Sequence, residues 1–239
     1  MTIDANNIHF RELNKQIASH NTDINLTGVC GQRFLGAALS GKKLVIDGIP
    51  GNALGAYLDG GVIEVRGNAQ DASGDTMNDG TIIVHGSAGD ALGYAMRGGK
   101  IFVKGNAGYR AGIHTKEYKD KIPLIVIGGA AGSFLGEYLA GGVIIVLGMG
   151  TNGDVPLGNF TGTGMHGGKI FVKSNNEPKN LPEQVSVKAA AKSDMAGIMQ
   201  HIQEFSSYFD FDTNELMSGK FWVLCPNAKN PYKQLYTTH

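Results

Sequence analysis

Glycine recurs along this chain at a fixed step. Gly48, Gly67, Gly86 and Gly105 each close a short aliphatic run, and successive members stand 19 residues apart. A second series, Gly36, Gly55, Gly74, Gly93 and Gly112, keeps the same step. A repeat of about 20 residues, with one strand per unit and glycine at its corners, specifies a solenoid, because a single unit cannot bury its own apolar face and must stack on its neighbours. The 36 glycines are about twice the usual share of roughly 7%. They sit at fixed offsets, so they mark corners and not a low-complexity linker.

Aligned on the residue after each strand (Gly48, Gly67, Gly86, Gly105, Gly128, Gly148 and Ser174), two columns are aliphatic in all seven units. Two positions before the mark stand Ile46, Val65, Val84, Val103, Val126, Val146 and Val172. Four before it stand Leu44, Ile63, Ile82, Ile101, Leu124, Ile144 and Ile170. Residues two apart share one face of a strand, so both columns are expected to stack inside the coil. The other half of each unit reads G-x-x-x-G-x-x-L-x-G-G or close to it, as from Gly51 to Gly61, with Leu58, Met77, Met96 and Leu139 at one inward position.

The expected fold is all-β: a single-stranded, right-handed parallel β-helix of about seven coils with a period of about 19, carrying short N- and C-terminal helical segments. The hand follows from the right-handed crossover rule. At roughly 4.8 Å between stacked strands, seven coils make a rod about 30 Å long. Residues 1–27 read as a helix and connector, with Asn7 as its cap and Phe10, Leu13 and Ile17 at helical spacing. Residues 28–174 hold the β-helix. Residues 175–239 read as a linker, a helix from about Asp194 to Ser206, a strand from Phe221 to Leu224 and a Pro- and Tyr-containing tail. Two units break the period. The step from Gly105 to Gly128 is 23 residues, with the extra four near His114 to Lys121, and the segment from Met149 to Gly168 is also long.

Lys plus Arg equals Asp plus Glu at 21 each, which gives no electrostatic case for nucleic acid or an anionic membrane. The apolar run from Val143 to Leu147 is far too short to span a bilayer. No charged-then-apolar leader opens the chain, and two isolated cysteines suit neither an iron–sulfur cluster nor a structural zinc. A reduced, cytoplasmic protein is the expectation.

The groups that could carry chemistry read as structural. Cys30 is internal and lacks the free α-amine of an N-terminal nucleophile, so it reads as a buried structural thiol, as does Cys225. His85, His114 and His166 share neither a column nor a metal-ligand spacing. Asp71, Asp75 and Asp79, four apart, fit turn chemistry. Gly162–Thr163–Gly164 is not fed by a strand into a helix as a dinucleotide site would be. Arg33 and Arg110, at repeat corners, read as partners in intramolecular pairs. No catalytic, cofactor-binding or metal-binding residue is assigned.

One row of the strands is unexpected. On the outward face stand Val45, Glu64, Ile83, Phe102, Ile125, Ile145 and Phe171, and six of the seven are apolar. Such a stripe is too large to leave in water. It is expected to be covered either by the chain's own helix near residues 194–206 or by another subunit. Phe102, Ile125, Ile145 and Phe171 are the candidate partner interface.

The repeat resembles the GxGxG domain that forms the C-terminal β-helix of the glutamate synthase large subunit. It is similar also to a subunit of formylmethanofuran dehydrogenase and to stand-alone relatives in split glutamate synthases and N-methylglutamate synthase. The pieces that carry the likeness are Ile3-Asp4-Ala5 with Arg11-Glu12-Leu13-Asn14, Gly31-Gln32-Arg33-Phe34-Leu35-Gly36-Ala37, and the run from Gly158-Asn159-Phe160 to Met165-His166-Gly167-Gly168. The first two favour the glutamate synthase branch. The resemblance implies a domain without catalytic residues, standing between a glutaminase and a flavin-binding synthase and helping to hold the ammonia path. It implies a free-standing subunit whose partners are an amidotransferase (glutaminase) chain and an FMN-binding synthase chain. FMN and an iron–sulfur cluster would then lie on a partner, with none on this chain. Self-association and an adaptor role outside nitrogen metabolism stand as alternatives. So does a β-helix enzyme acting on carbohydrate or acyl groups, which would need carboxylates or a histidine aligned on one wall.

Overall fold

The computed structural model describes residues 1–227, and the expectation for the tail at Pro231 and Tyr236 falls outside them. The chain winds as a β-solenoid. Its strands are β1 (Thr2–Asp4), β2 (Ile24–Cys30), β3 (Lys43–Ile49), β4 (Asp59–Val65), β5 (Asp79–Val84), β6 (Lys100–Val103), β7 (Leu124–Ile127), β8 (Ala140–Val146), β9 (Gly167–Lys173), β10 (Val185–Ala189) and β11 (Phe221–Pro226). The helices are α1 (Phe10–Ser19), α2 (Lys192–Phe209) and α3 (Thr213–Met217). One 11-stranded sheet runs in the order β1 to β9, then β11, then β10. It is parallel from β1 to β9, and β11 and β10 close it antiparallel.

The aliphatic columns stack as the repeat requires. Ile46 pairs with Val65, Val65 with Val84, and Val84 with Val103, each fully buried. Behind them, inside the glycine turns, lie Leu35, Leu54, Leu92 and Leu135 together with Leu58, Met77, Met96 and Leu139, all inaccessible. Burial of each such side chain stabilises the coil by about 1.5–3 kcal/mol relative to exposure. Polar residues that enter this interior bring their own partners: Ser73 Oγ donates to Gln70 O (3.1 Å) and Thr115 Oγ1 to Gly93 O (3.2 Å).

The register of the fifth repeat differs from the expected one. Ile125 and Ile127, not Leu124 and Val126, continue the interior columns, since Ile101 pairs with Ile125 and Val103 with Ile127. The equivalent of Gly105 is therefore Gly129, whose N–H donates to Gly105 O (2.9 Å). The insertion is five residues long, and the step of 19 resumes from Gly129 to Gly148. A one-residue slip turns every side chain of a strand to the opposite face, and four consecutive aliphatic residues, Leu124 to Ile127, hide the slip from a pattern reading.

The ends also depart from expectation. Residues 1–27 include β1 and the first half of β2, which extend the sheet across the expected boundary, and Ile24 and Leu26 lie in its core. His9 caps α1, its Nδ1 accepting from Arg11 N–H, whereas Asn7 sits in a left-handed turn at φ 59°. The region read as a linker contributes β10. Helix α2 is longer than expected, and Asp194 at its start accepts from Ala191 N–H (3.1 Å).

Helix α2 lies on the outward strand face. Its Ile198, Ile202, Phe205 and Phe209 pack in one cluster with Ile83, Phe102, Val126, Ile145 and Phe171. The chain's own helix thus covers the apolar stripe.

Candidate interaction surface

The glycine turn is built from residues of alternating hand. In the second coil Ala53, Gly55 and Tyr57 have φ of 62°, 62° and 58°, and the same three positions are left-handed in every coil from Phe34–Gly36–Ala38 to Phe160–Gly162–Gly164. The alternation aims successive N–H groups at opposite neighbours. Ala53 N–H donates to Asp71 O in the next coil, Gly55 N–H to Leu35 O in the previous coil, and Tyr57 N–H to Asp75 O in the next. The middle position needs glycine, because a Cβ on Gly55 would lie 2.8 Å from Ile82 Cδ1. The outer two accept L-residues at a backbone cost of about 1–2 kcal/mol each, offset by the inter-coil hydrogen bonds. Their side chains stand out from the wall.

Aromatic residues occupy many of these outer positions. Over the last coils they gather into a ridge. The Phe134 and Phe160 rings stack with centroids 5.0 Å apart. The Arg110 guanidinium lies over Phe134 at 5.0 Å, and its Nε is 3.1 Å from Glu137 Oε2. His114 stacks on Tyr138 at 5.1 Å and meets Tyr94 edge-on at 6.0 Å. Phe160 and Tyr109 are each 56% exposed. A ridge of Tyr, Phe and Arg has the composition of the residues that anchor protein–protein contacts, which makes this surface the candidate site.

The residues expected to meet a partner lie elsewhere. Phe102, Ile145 and Phe171 are buried beneath α2, and Ile125 points into the coil. With α2 docked, a partner has no access to them. The ridge escaped a reading based on strand alternation. Its signal lies two residues on either side of the middle glycine of each unit, where Phe34, Tyr57, Phe134, Tyr138 and Phe160 recur.

The other candidates are accounted for locally. Cys30 is exposed at the end of β2, which corrects the expectation of a buried thiol; Cys225 is half-buried, and burial raises its pKa. Asp71 Oδ1 accepts from Asp90 N–H (2.9 Å), while Asp79 accepts from Gly80 N–H and pairs with Lys121 at 3.0 Å. Glu64 sits 2.6 Å from Lys43 and 3.2 Å from His85. Burial pushes its carboxyl up, but these partners outweigh burial and hold it below the usual value. Arg33 lies over the Phe10 ring at 5.1 Å. No group of three or more metal-ligating side chains occurs among the described residues, and no helix there is long and apolar enough to cross a membrane.

Comparison with known proteins places these features in a lineage. The chain is 43% identical to "Uncharacterized protein MJ1350" of Methanocaldococcus jannaschii, over 99% of this chain and 96% of that one. Its fold is similar, with a TM-score of 0.61 and 20% identity over 92% of this chain and 88% of the other, to a chain in the crystal structure of the formyltransferase/hydrolase complex of Methylorubrum extorquens with methylofuran. At that identity the likeness is one of fold. The GXGXG motif family model matches residues 2–227, a span that contains all of the alternating turns and stacked columns, and the chain belongs to that family.

Proposed function

We propose that this chain is a structural subunit that holds separate chains of a multi-subunit enzyme in fixed relative positions. The observation that carries the reading is the exposed aromatic ridge from Tyr94 to Phe160 on a wall that the sheet makes rigid. A stiff rod sets the distance between two sites attached to it, and so supplies orientation and not a reacting group. That a chain of similar fold belongs to a formyltransferase/hydrolase complex supports the subunit reading.

The Ile3-Asp4-Ala5 and Gly31 to Ala37 pieces favour a complex of the glutamate synthase type. There the rod would set an amidotransferase chain against an FMN- and iron–sulfur-containing chain, for glutamine-dependent glutamate formation. The second reading, a formyl-transferring complex, draws on the solved relative. Affinity purification of the tagged chain from its native cell, with partners identified by mass, tests both. Glutaminase and flavoprotein chains support the first reading and formyltransferase chains the second. Recovery of the chain by itself overturns the subunit role, as does glutaminase activity or flavin absorbance in the chain purified alone.

A further inference from the structure

The turn ladder is open at its first coil. In each later coil two N–H groups four residues apart reach back to the coil before. Gly55 and Asp59 donate to Leu35 O and Leu39 O, Gly74 and Asn78 to Leu54 O and Leu58 O, and Gly93 and Arg97 to Ser73 O and Met77 O. One period earlier the equivalent donors are Gly36 N–H and Ser40 N–H, and neither finds an acceptor among the described residues. Helix α1 stands on that side in place of a coil. It is pinned across a gap by Asn14 Nδ2, which donates to Arg33 O (3.0 Å), and by Lys42 Nζ, which donates to Ile17 O (2.6 Å). The gap is a groove of about 900 Å³. Phe10, Phe34 and Leu39 give it an apolar lining, Arg11, Lys15 and Lys42 also line it, and no carboxylate does.

We propose that this groove binds an acidic peptide segment of a partner chain, which completes the open ladder. Two of its carbonyls accept from Gly36 and Ser40 N–H, as coil carbonyls do everywhere else along the turn wall, and its carboxylates face Arg11 and Lys15. The charge balance selects an anion. The volume and the paired backbone donors select a peptide over a small ion, in the manner of a strand added to a free edge. The inference rests on the subunit reading only for the origin of the segment. Co-purification tests that reading, a peptide titration tests the groove, and either can fail while the other stands.

The test uses the full chain and a fluorescein-labelled decapeptide of alternating Asp and Ala. Saturable binding by fluorescence anisotropy is expected, weakened about tenfold or more in the Arg11→Glu/Lys15→Glu double variant. Both positions are exposed, so the melting temperature of that variant stays near the parent's. In a labelled chain the Gly36 and Ser40 amide resonances move downfield on titration and those of Gly55 and Asp59 stay. The proposal is overturned by absent binding, by equal binding of the double variant, or by unmoved Gly36 and Ser40 amides. Equal affinity for a single-stranded oligonucleotide would show a generic polyanion surface and overturn it as well.

Discussion

Lys100 Nζ lies 2.6 Å from Glu204 Oε1, although 104 residues separate them in the chain. The pair joins the sixth strand to the middle of α2 at the border of the apolar layer between them. Both side chains keep partial access to solvent, so the pair fixes the position of the helix more than it stabilises it; Lys100→Ala is expected to cost less than about 1 kcal/mol.

The apolar layer itself holds α2 down. Phe205 is fully buried, with its ring against Gly128 and the Phe209 ring. Phe205→Ala is expected to lower stability by about 3–5 kcal/mol and to expose the strand face to a hydrophobic dye before the coil melts. Ile145→Lys places a charge at a site with no accessible surface. Its expected effect is loss of folded protein in thermal melts, not loss of a partner on a sizing column.

On the ridge the expectation is reversed. Phe160→Ser removes a side chain that is more than half exposed and stacks on Phe134. The melting free energy should move by no more than about 1 kcal/mol, while partner chains should no longer co-purify. A normal complex from this variant would remove the ridge from the interface.

The corners and the interior columns were legible in the sequence, because glycine spacing and aliphatic alternation each report one physical constraint that repeats coil after coil. Leu124 to Ile127 was not: with every residue aliphatic, no contrast remains to say which side faces in, and the pairings of Ile101 with Ile125 and of Gly129 with Gly105 resolve it. The apolar outward stripe was visible, and the helical spacing of Ile198, Ile202 and Phe205 was visible, but nothing local states that two segments about a hundred residues apart meet. Strand β2 passed unread because Gly28 interrupts it, where the pairing with β3 shifts register between Leu26 and Val29. The aromatic ridge stayed hidden since Arg110, His114, Phe134, Tyr138 and Phe160 occupy left-handed positions, which ordinary patterns assign to turns and not to a regular surface.

Two positions separate the roles of glycine and of the left-handed L-residues. A Cβ at Gly48, where φ is 128°, would stand 2.1 Å from Val29 O in the paired strand. Backbone cannot yield there as a side-chain tip can, so Gly48→Ala should destabilise by more than about 2 kcal/mol in chemical denaturation. Tyr57 is left-handed at φ 58° and its side chain is 56% exposed. Tyr57→Gly relieves the backbone cost, loses little packing, and should leave stability unchanged or raise it by up to about 1 kcal/mol.

His201 is expected to give the packing of α2 on the sheet a pH dependence. Its Nδ1 is buried and hydrogen-bonds to no described residue. Burial pushes the ring's pKa below its ordinary 6.5, Glu204 opposes that shift, and Lys100 adds to it. The unfolded chain therefore takes up the proton at a higher pH than the folded one. The stability contributed by the neutral ring is complete above pH 6.5 and falls as pH drops from there towards the folded-state pKa. The depressed carboxylates Glu64, Asp79 and Asp194 lose their contribution only in a lower window, below their ordinary values of 4.5, 3.8 and 3.8. His201→Leu keeps the apolar contact and removes the titrating ring. Melting curves taken between pH 7 and pH 5 should show a smaller loss of stability for this variant than for the parent, and parallel curves would mean that the ring does not titrate differently on folding.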